Sequence, residues 1–301
     1  MSFTRSLSLL ALAATLANAC PKLQKRQGVN ATLPEDPRFW AYEASYDWGR
    51  LDPGTPPLHS NSPVPPPLTL LPPEWVLCQA GTQQSPIPLR LDQGLSRAHI
   101  PTFSYPSSVT GNFSNWGYGP SYTLSLGPNN NDDYTTLPSL TFPEESNDFS
   151  TNETVYLASW HIHAPADHTV QGDRSKAELH LVHADAEGHE RAVFAIRIDP
   201  GNAESAFFRQ LPKGMVGFNE TDVGEREVEM DLNLALDEVL RFAEFWTYKG
   251  SLTSPPCTEG LRWFVARNVL FVSDEQMQDI LRASTFSART EQEVWRHDIN
   301  I

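Results

Sequence analysis

Two short motifs, His161-Ile-His163 and Glu178-Leu-His180, constrain this chain most. Each lies in or directly after an apolar run rich in β-branched and aromatic residues, and in a strand residues two apart share a face. If the two strands are neighbours in a sheet, three imidazoles converge, with a carboxylate beside the third. Zinc held by three histidines keeps its fourth position for water, which is typical of a catalytic site. A lone His-x-His is more often a surface pair, so these residues alone leave metal binding open.

The rest of the chain follows the pattern of a sheet protein. From Cys78 onward, short apolar runs alternate with clusters of Gly, Pro and Asn, which favours strands. These runs are 100–105, 121–126, 155–163, 179–183 and 193–198. Helical periodicity is confined to 202–209, 232–242 and 274–283, the last after an N-cap candidate at Ser273. No internal repeat is visible and nothing marks a second domain, so we predict a mainly β (α+β) single domain.

Two segments before Cys78 differ in composition from the rest. Residues 39–49 are rich in aromatics, and we expect them to pack onto the body of the domain. Residues 52–73 are too rich in proline for a helix or a central strand. We therefore predict that 52–73 form an extended surface excursion.

The N-terminus has the features of a secreted protein. Residues 1–19 combine one basic residue, an apolar stretch and a small-x-small cleavage site, which predicts a signal peptide. The dibasic pair Lys25-Arg26 resembles a kexin-type processing site, so 20–26 form a possible propeptide and 27–301 the mature chain, with its domain over about 40–301. An uncut basic pair in a leader is an equally good interpretation. No later apolar run approaches the roughly 18 residues of a membrane-spanning helix, so we expect a secreted or cell-wall protein without membrane association.

Cysteine usage and sequons fit the secretory route. If the leader is removed at the dibasic pair, Cys20 leaves with it, and Cys78 and Cys257 remain as an even pair. In an oxidising compartment such a pair predicts a disulfide that closes a long loop. Four Asn-x-Ser/Thr sequons are candidates for glycosylation, at Asn30, Asn112, Asn152 and Asn219.

The net charge excludes one class of partner. Lys and Arg number 22 against 37 Asp and Glu, which gives a formal charge of −15 without a visible basic cluster. Nucleic acids and anionic membranes bind basic surfaces, so we expect neither as a partner. The oligomeric state is left open.

Several motifs together resemble the α-class carbonic anhydrases. They are Trp160-His161-Ile-His163, Asp167-His168-Thr-Val, Ala177-Glu178-Leu-His180-Leu-Val-His183, Gln84-Ser-Pro-Ile, Trp246-Thr-Tyr-Lys-Gly-Ser-Leu-Thr-Ser-Pro-Pro-Cys257 and Trp295-Arg296, in the family's order. The resemblance implies a twisted, largely antiparallel central sheet of about ten strands with short peripheral helices, and a conical pocket that ends at Zn²⁺. It also implies reversible hydration of carbon dioxide to bicarbonate by attack of zinc-bound hydroxide, with weak hydrolysis of activated esters.

The resemblance assigns roles to individual positions. It implies His161, His163 and His180 as metal ligands, and Glu178 as the acceptor that fixes the ring of His180. It implies Thr253 as the residue that orients the attacking oxygen and hands a proton to an acid. The substrate would rest against a pocket formed by Val182, Val193, Leu252, Ser254 and Trp263. The pair Cys78 and Cys257 matches the disulfide of secreted members.

Three positions depart from the family pattern. Tyr118 stands where the fastest members have a proton-shuttle histidine, and a phenol with a pKa of about 10 transfers protons poorly near neutral pH. Asp167 stands where the acid partner of Thr253 is usually Glu, one methylene longer. Ser159 replaces a Gln that supports the first histidine. We therefore expect moderate turnover that is limited by proton transfer.

One alternative function belongs to a different class. Carbonic-anhydrase-like binding or adhesion proteins without significant catalysis share this resemblance, but they typically lack a zinc ligand, whereas this chain keeps all three. A different zinc hydrolase is disfavoured because the sequence has no His-Glu-x-x-His helix.

Overall fold

The computed structural model of the protein describes residues 41–50, 75–126, 133–145, 150–212 and 226–301. Five sequence predictions lie outside these ranges. They concern the signal peptide 1–19, the Lys25-Arg26 site, the proline-rich stretch 52–73, and the sequons at Asn30 and Asn219.

A mixed sheet of eleven strands dominates the described residues, as predicted for a mainly β single domain. The strands of the chain are β1 (Thr102–Ser104), β2 (Val109–Asn115), β3 (Pro120–Leu124), β4 (Ser139–Glu145), β5 (Ser150–His163), β6 (Thr169–Val170), β7 (Asp173–Arg174), β8 (Ala177–Ala184), β9 (Glu190–Pro200), β10 (Arg226–Met230), β11 (Phe245–Ser251), β12 (Glu259–Ala266) and β13 (Leu270–Val272). The strand order of the main path is β10-β2-β3-β5-β8-β9-β12-β11. Off this path, β4 pairs with both β1 and β5, and β13 pairs with β9. Only β12 and β13 pair in parallel with β9 among these neighbours. Strands β6 and β7 form a separate hairpin.

The central strands separate two apolar clusters. In β8 every residue is buried, because Leu179 and Leu181 face the larger core while Val182 faces the smaller cluster around Trp263. Alternation along the strand therefore leaves Glu178, His180 and Val182 on the side of the smaller cluster, whereas Ala184, beyond a register shift, returns to the larger core.

A β-bulge in β5 determines which of its residues face the larger core and which face the smaller cluster. Val155 and Leu157 point into the larger core, but the register shifts between Leu157 and Ser159. One extra residue reverses the alternation. After the bulge Trp160 belongs to the core, and the odd-numbered residues that follow share the face of the small cluster.

The helices are short and peripheral: α1 (Leu77–Ala80), α2 (Ala206–Arg209), α3 (Asn233–Glu238) and α4 (Asp274–Arg282). The predicted cap of α4 is confirmed, since Ser273 and Gln276 form a capping box. Helix α2 starts later than predicted because Ser205 Oγ caps it by accepting from the Phe208 N–H. The 232–242 prediction was too long at its C-terminal end, because residues 240–242 have positive φ and form a separate 3₁₀ turn.

The N-terminal aromatic segment packs onto the domain as predicted. Residues 42–50 form a 3₁₀ helix in which Tyr42 and Trp48 are buried. Next to it lies the predicted disulfide, Cys78–Cys257, which joins residues 179 apart in the sequence. Of the candidate glycosylation sites, Asn152 is exposed on β5, and Asn112 is half-buried in β2. Among the described residues, no helix has the length and apolar character needed to span a membrane.

Candidate metal centre

Three imidazoles converge on the face of β5 and β8 that adjoins the smaller cluster. The two strands are antiparallel neighbours, with His161 opposite His180 and His163 opposite Glu178. The candidate ligand nitrogens of the three histidines all lie within 4.8 Å of one another, and the Nε2 atoms of His161 and His163 are 3.0 Å apart. A tetrahedron with zinc–nitrogen bonds of 2.0–2.1 Å has an edge of about 3.3 Å. The spacing therefore fits a small tetrahedral cation.

Hydrogen bonds on the outer ring atoms select the ligand atoms. His163 Nδ1 donates to the carbonyl of Ser287 at 2.6 Å, and His180 Nε2 donates to Glu178 Oε1 at 2.7 Å. The lone pairs of His163 Nε2 and His180 Nδ1 are left for the centre. Burial lowers the pKa of His161 well below its usual value, helped by the two neighbouring imidazoles, and burial also lowers the pKa of His163. Neutral imidazole is the form that binds a metal, so the donor set fits Zn²⁺.

A buried network behind His180 holds its orientation. Glu178 accepts from His168 twice, at Oε1 from Nδ1 (2.6 Å) and at Oε2 from the backbone N–H (2.9 Å). His168 Nε2 is 2.7 Å from the hydroxyl of Tyr248, which is 3.1 Å from Ser85 Oγ. Burial acts to raise the pKa of Glu178, but His168 and the hydrogen bonds from both histidines outweigh it and hold the pKa well below its usual range. Glu178 is therefore ionised, and sequence reasoning assigned no role to His168 or Tyr248.

Asp167 does not make the contact that the resemblance implies. Its side chain is fully buried, and Oδ1 accepts from the backbone N–H of Arg289 at 2.8 Å. Its Oδ2 atom lies 3.7 Å from His163 Nδ1 and has no hydrogen-bond partner within the part of the chain that the structure describes. Thr253 is buried but does not donate to Asp167, which corrects the expected hydrogen bond. A carboxylate one methylene shorter than Glu reaches the Arg289 amide without reaching the threonine.

Aromatic side chains cover the histidines from the direction of β2 and the N-terminal segment. The indole of Trp116 lies 5.2 Å from the ring of His161 and 5.3 Å from that of His163, measured between centroids. Tyr42 lies 5.7 Å from His163. Tyr118, at the expected shuttle position, is half-buried and packs 5.1 Å from Trp116. Sequence reasoning missed both Trp116 and Tyr42 as neighbours of the site.

Comparison with known proteins identifies the family. The family model of the eukaryotic-type carbonic anhydrases matches residues 72–299. This chain belongs to the carbonic anhydrase family. It is 32% identical to alpha carbonic anhydrase 7 of Arabidopsis thaliana over 69% of this chain and 68% of that protein. It is 31% identical to dioscorin DB3S of Dioscorea polystachya over 69% and 70%, and 26% identical to a carbonic anhydrase of Pectobacterium atrosepticum over 80% and 82%.

Solved structures share the fold. Dioscorin complexed with ascorbate superposes with a TM-score of 0.61 at 24% identity, covering 85% of this chain and 92% of dioscorin. The fungal α-carbonic anhydrase of Aspergillus oryzae superposes with a TM-score of 0.59 at 22% identity, covering 73% and 86%. The α-class fold expected from the sequence motifs is thereby confirmed.

In this carbonic anhydrase fold, the predicted substrate wall forms one apolar surface beside the third histidine. Val182, Val193, Leu252 and Trp263 are buried in the smaller cluster. The indole of Trp263 lies 5.0 Å from the ring of His180 and is fixed by a 2.9 Å hydrogen bond from its Nε1 to the Ser251 carbonyl. Ser254 is also buried, in the turn that leads to Cys257.

The first histidine of the carbonic anhydrase site lacks a direct supporting contact. Ser159 Oγ and His161 Nδ1 are both buried and have no hydrogen-bond partner among the described residues. Ser159 therefore does not support the ring as a longer amide side chain would, although both side chains share one face of β5.

The arginine whose backbone N–H contacts Asp167 is Arg289, seven residues before the arginine of the Trp295-Arg296 motif. Trp295 is 67% exposed, so the Trp295-Arg296 motif lies at the surface. Arg289 is instead buried, donates to the carbonyls of Ser85 and Cys78, and lies over the ring of Trp48 at 5.4 Å. Burial lowers the pKa of Arg289 to about 10. It remains a cation at neutral pH and ties the loop that contacts Asp167 to the N-terminal segment.

Proposed function

We propose that this chain is a secreted zinc lyase that interconverts carbon dioxide and bicarbonate. The observation that carries the proposal is the set of three histidines on β5 and β8 whose candidate ligand nitrogens all lie within 4.8 Å of one another, with the pKa of His161 and of His163 lowered by burial. His161, His163 and His180 would hold a zinc ion, which when bound would lower the pKa of a water molecule toward neutrality and so supply a nucleophile.

The residues of the chain supply orientation and a dry surface. Glu178 keeps the proton of His180 on Nε2, so that Nδ1 remains a donor to the metal. Val182, Val193 and Leu252 offer an apolar surface to a neutral, linear substrate next to His180. An unpaired polar group would weaken such an apolar surface, and the side chains of Val182, Val193 and Leu252 contain no polar groups.

We assign Thr253 to orienting the attacking water by accepting a hydrogen bond. Asp167 contributes by holding the backbone of Arg289. Among the described residues, Oδ2 of Asp167 has no hydrogen-bond partner, so the Thr253 hydroxyl lacks the carboxylate acceptor that would direct it. We expect this missing hydrogen bond to limit the enzyme to a moderate turnover.

Removal of the product proton is the expected limiting step. Tyr118 stands at the expected shuttle position, and a phenol with a pKa of about 10 rarely exchanges its proton at neutral pH. Protons then leave by way of solvent buffer, and the maximal rate depends on buffer concentration.

A second candidate is a carbonic-anhydrase-like binding protein. The similarity to dioscorin and the missing contact between Thr253 and Asp167 favour it. The retained histidine set and the ionised Glu178 behind it favour catalysis.

Secretion is part of the proposal. The predicted signal peptide of residues 1–19 supports it, and so does the disulfide Cys78–Cys257, because stable disulfides belong to oxidising compartments.

Zinc analysis together with stopped-flow carbon dioxide hydration tests the function. The mature protein should hold about one zinc per chain and hydrate carbon dioxide, and His161→Ala should lose both. His189→Ala, which removes an exposed histidine, is the matched control and should lose neither. A zinc-loaded wild type without hydration activity would favour the binding protein instead. Hydration that persists in zinc-free His161→Ala would refute the proposal.

A further inference from the structure

One indole is built into the approach to the metal ligands. Trp116 follows β2, and its Nε1 donates to the carbonyl of Ile162 at 3.2 Å. Ile162 lies between His161 and His163, so this bond holds the indole against the two ligand rings, which it meets edge-on at interplanar angles of 62° and 64°. Trp116 is half-buried, whereas the two histidines that it contacts are buried, so the indole covers part of their rings.

The N-terminal segment braces this indole. Tyr42 is 1% exposed and meets Trp116 edge-on, with 6.3 Å between ring centroids. The Tyr42 ring also contacts Tyr118 at 5.0 Å and Trp48 at 5.4 Å. A ring held by a hydrogen bond and by packed aromatic neighbours does not swing aside freely.

A second indole covers the ring of the third histidine. Trp263 contacts the ring of His180 at 5.0 Å. The three ligand residues are consequently only 6%, 1% and 1% exposed for His161, His163 and His180. Two surface recesses, one beside Phe286 and one beside Trp295, do not include these histidines.

We propose that Trp116 is a specificity-determining residue that narrows the approach to the metal centre. Linear triatomic molecules pass between the indole and the apolar wall, whereas aryl-substituted sulfonamides and aryl esters are excluded. This inference rests on the proposed function, since it takes the three histidines as the metal site. A rigid pocket wall discriminates by the bulk of a ligand, because a larger ligand must displace packed side chains.

Ligand binding to the cobalt-substituted protein tests the inference without relying on turnover. The probes are cyanate, a linear triatomic anion, and benzenesulfonamide, and their binding is followed by the visible spectrum of the metal. Trp116→Ala should bind benzenesulfonamide tighter by about tenfold or more, while cyanate affinity changes much less. The hydrolysis of 4-nitrophenyl acetate by water, which yields acetate and 4-nitrophenol, should rise relative to carbon dioxide hydration.

Two further variants and a cobalt titration distinguish a change in ligand access from damage to the metal site. Trp116→Phe keeps an aromatic cover and should stay close to wild type in its preference for cyanate. Trp295→Ala removes an exposed indole and should leave both affinities unchanged. Cobalt titration of the metal-free proteins checks that Trp116→Ala still assembles the site; if cobalt no longer binds, Trp116 acts on the ligands and the access proposal is overturned.

The two proposals fail in different ways. Equal gains for cyanate and benzenesulfonamide in Trp116→Ala, or no gain for either, would overturn the role of Trp116 while wild-type hydration activity still stood. The wild type could bind no benzenesulfonamide and show no carbon dioxide hydration, while Trp116→Ala binds benzenesulfonamide. That result would support the role of Trp116 in access and refute the proposed function.

Discussion

Oε1 of Glu178 lies 2.7 Å from Nε2 of His180 and 2.6 Å from Nδ1 of His168. One buried carboxylate oxygen thus accepts from two imidazoles, one of which is a candidate metal ligand. The negative charge fixes the proton of His180 on the side away from the centre, because a carboxylate can only accept.

Replacement of Glu178 by Gln should weaken zinc binding. The amide keeps the shape of the side chain but loses the charge that orients His180, and such outer contacts are typically worth 10- to 100-fold in metal affinity, so a loss of about that size is expected. Competition with a chromophoric chelator measures the zinc dissociation constant. Glu275→Gln, at an exposed site on α4, serves as the control. Equal zinc affinity in both variants would contradict an orienting role for Glu178.

Lengthening Asp167 should improve catalysis. In Asp167→Glu the added methylene lets one oxygen keep the Arg289 N–H while the other reaches Thr253, which completes a hydrogen bond absent from the native structure. A hydrogen bond to a charged group is worth about 1.5–3 kcal/mol, and about 1.4 kcal/mol corresponds to tenfold in rate, so we expect kcat/KM to rise by about tenfold or more. The same change made in a Thr253→Ala background should bring no gain. A gain that survives there would show that Thr253 is not involved, and a thermal melt checks that the buried site tolerates the extra volume.

Buffer concentration should control the maximal rate. If Tyr118 does not shuttle protons, kcat measured by stopped flow rises with imidazole concentration, because buffer carries the proton away. Tyr118→His should raise kcat at low buffer and flatten the dependence. Phe271→His, which adds an imidazole at an exposed position of β13, controls for a general effect of surface histidines. A wild-type rate that is independent of buffer would mean that another group transfers the proton.

The convergence of the three histidines was predictable because strand geometry is simple. His161 and His163, like Glu178 and His180, are two residues apart, and a period of two places each pair on one face. The sequence did not show whether β5 pairs with β8. In the structure the two strands are antiparallel neighbours. The bulge at Leu157–Ser159 had no visible sequence signal, yet it sets the face on which the histidines lie. Bulges depend on the hydrogen bonds of the partner strand and not on residue type alone.

Contacts made by the backbone were out of reach of sequence reasoning. The carbonyl of Ser287 fixes His163, and the amide of Arg289 binds Asp167. Every residue except proline carries both groups, so composition offers no signal for these contacts. Trp116 was visible as an aromatic beside Gly117, but its direction depends on its hydrogen bond to Ile162.

The disulfide should contribute strongly to stability. Cys78 and Cys257 are 179 residues apart, and the loop-entropy relation gives about 5 kcal/mol for a loop of this length, near the upper end of measured effects. The double variant Cys78→Ser/Cys257→Ser should therefore unfold at a clearly lower denaturant concentration. Single Cys→Ser variants serve as comparisons, since each also lacks the bridge. Equal unfolding midpoints for the double variant and the oxidised wild type would contradict a stabilising bridge.

Acid sensitivity should depend partly on His183. Its ring is fully buried on β8, Nε2 lies 2.5 Å from the hydroxyl of Tyr105, and burial lowers its pKa from 6.5 to about 3. Between these two values the unfolded chain binds a proton that the folded chain excludes, so stability is lost as pH falls from about 6.5 towards 3. One such group contributes a slope of up to about 1.4 kcal/mol per pH unit.

Urea unfolding at pH values from neutral down through this window measures that contribution. The double variant Tyr105→Phe/His183→Leu removes the histidine without leaving a buried hydroxyl unpaired, and its stability should fall less steeply with acid. His189→Leu, at an exposed histidine, should keep the wild-type slope. If the double variant also keeps the wild-type slope, the folded protein does not exclude the proton from His183. The acid sensitivity must then arise at other buried groups, among which the pKa of His161 is also lowered by burial.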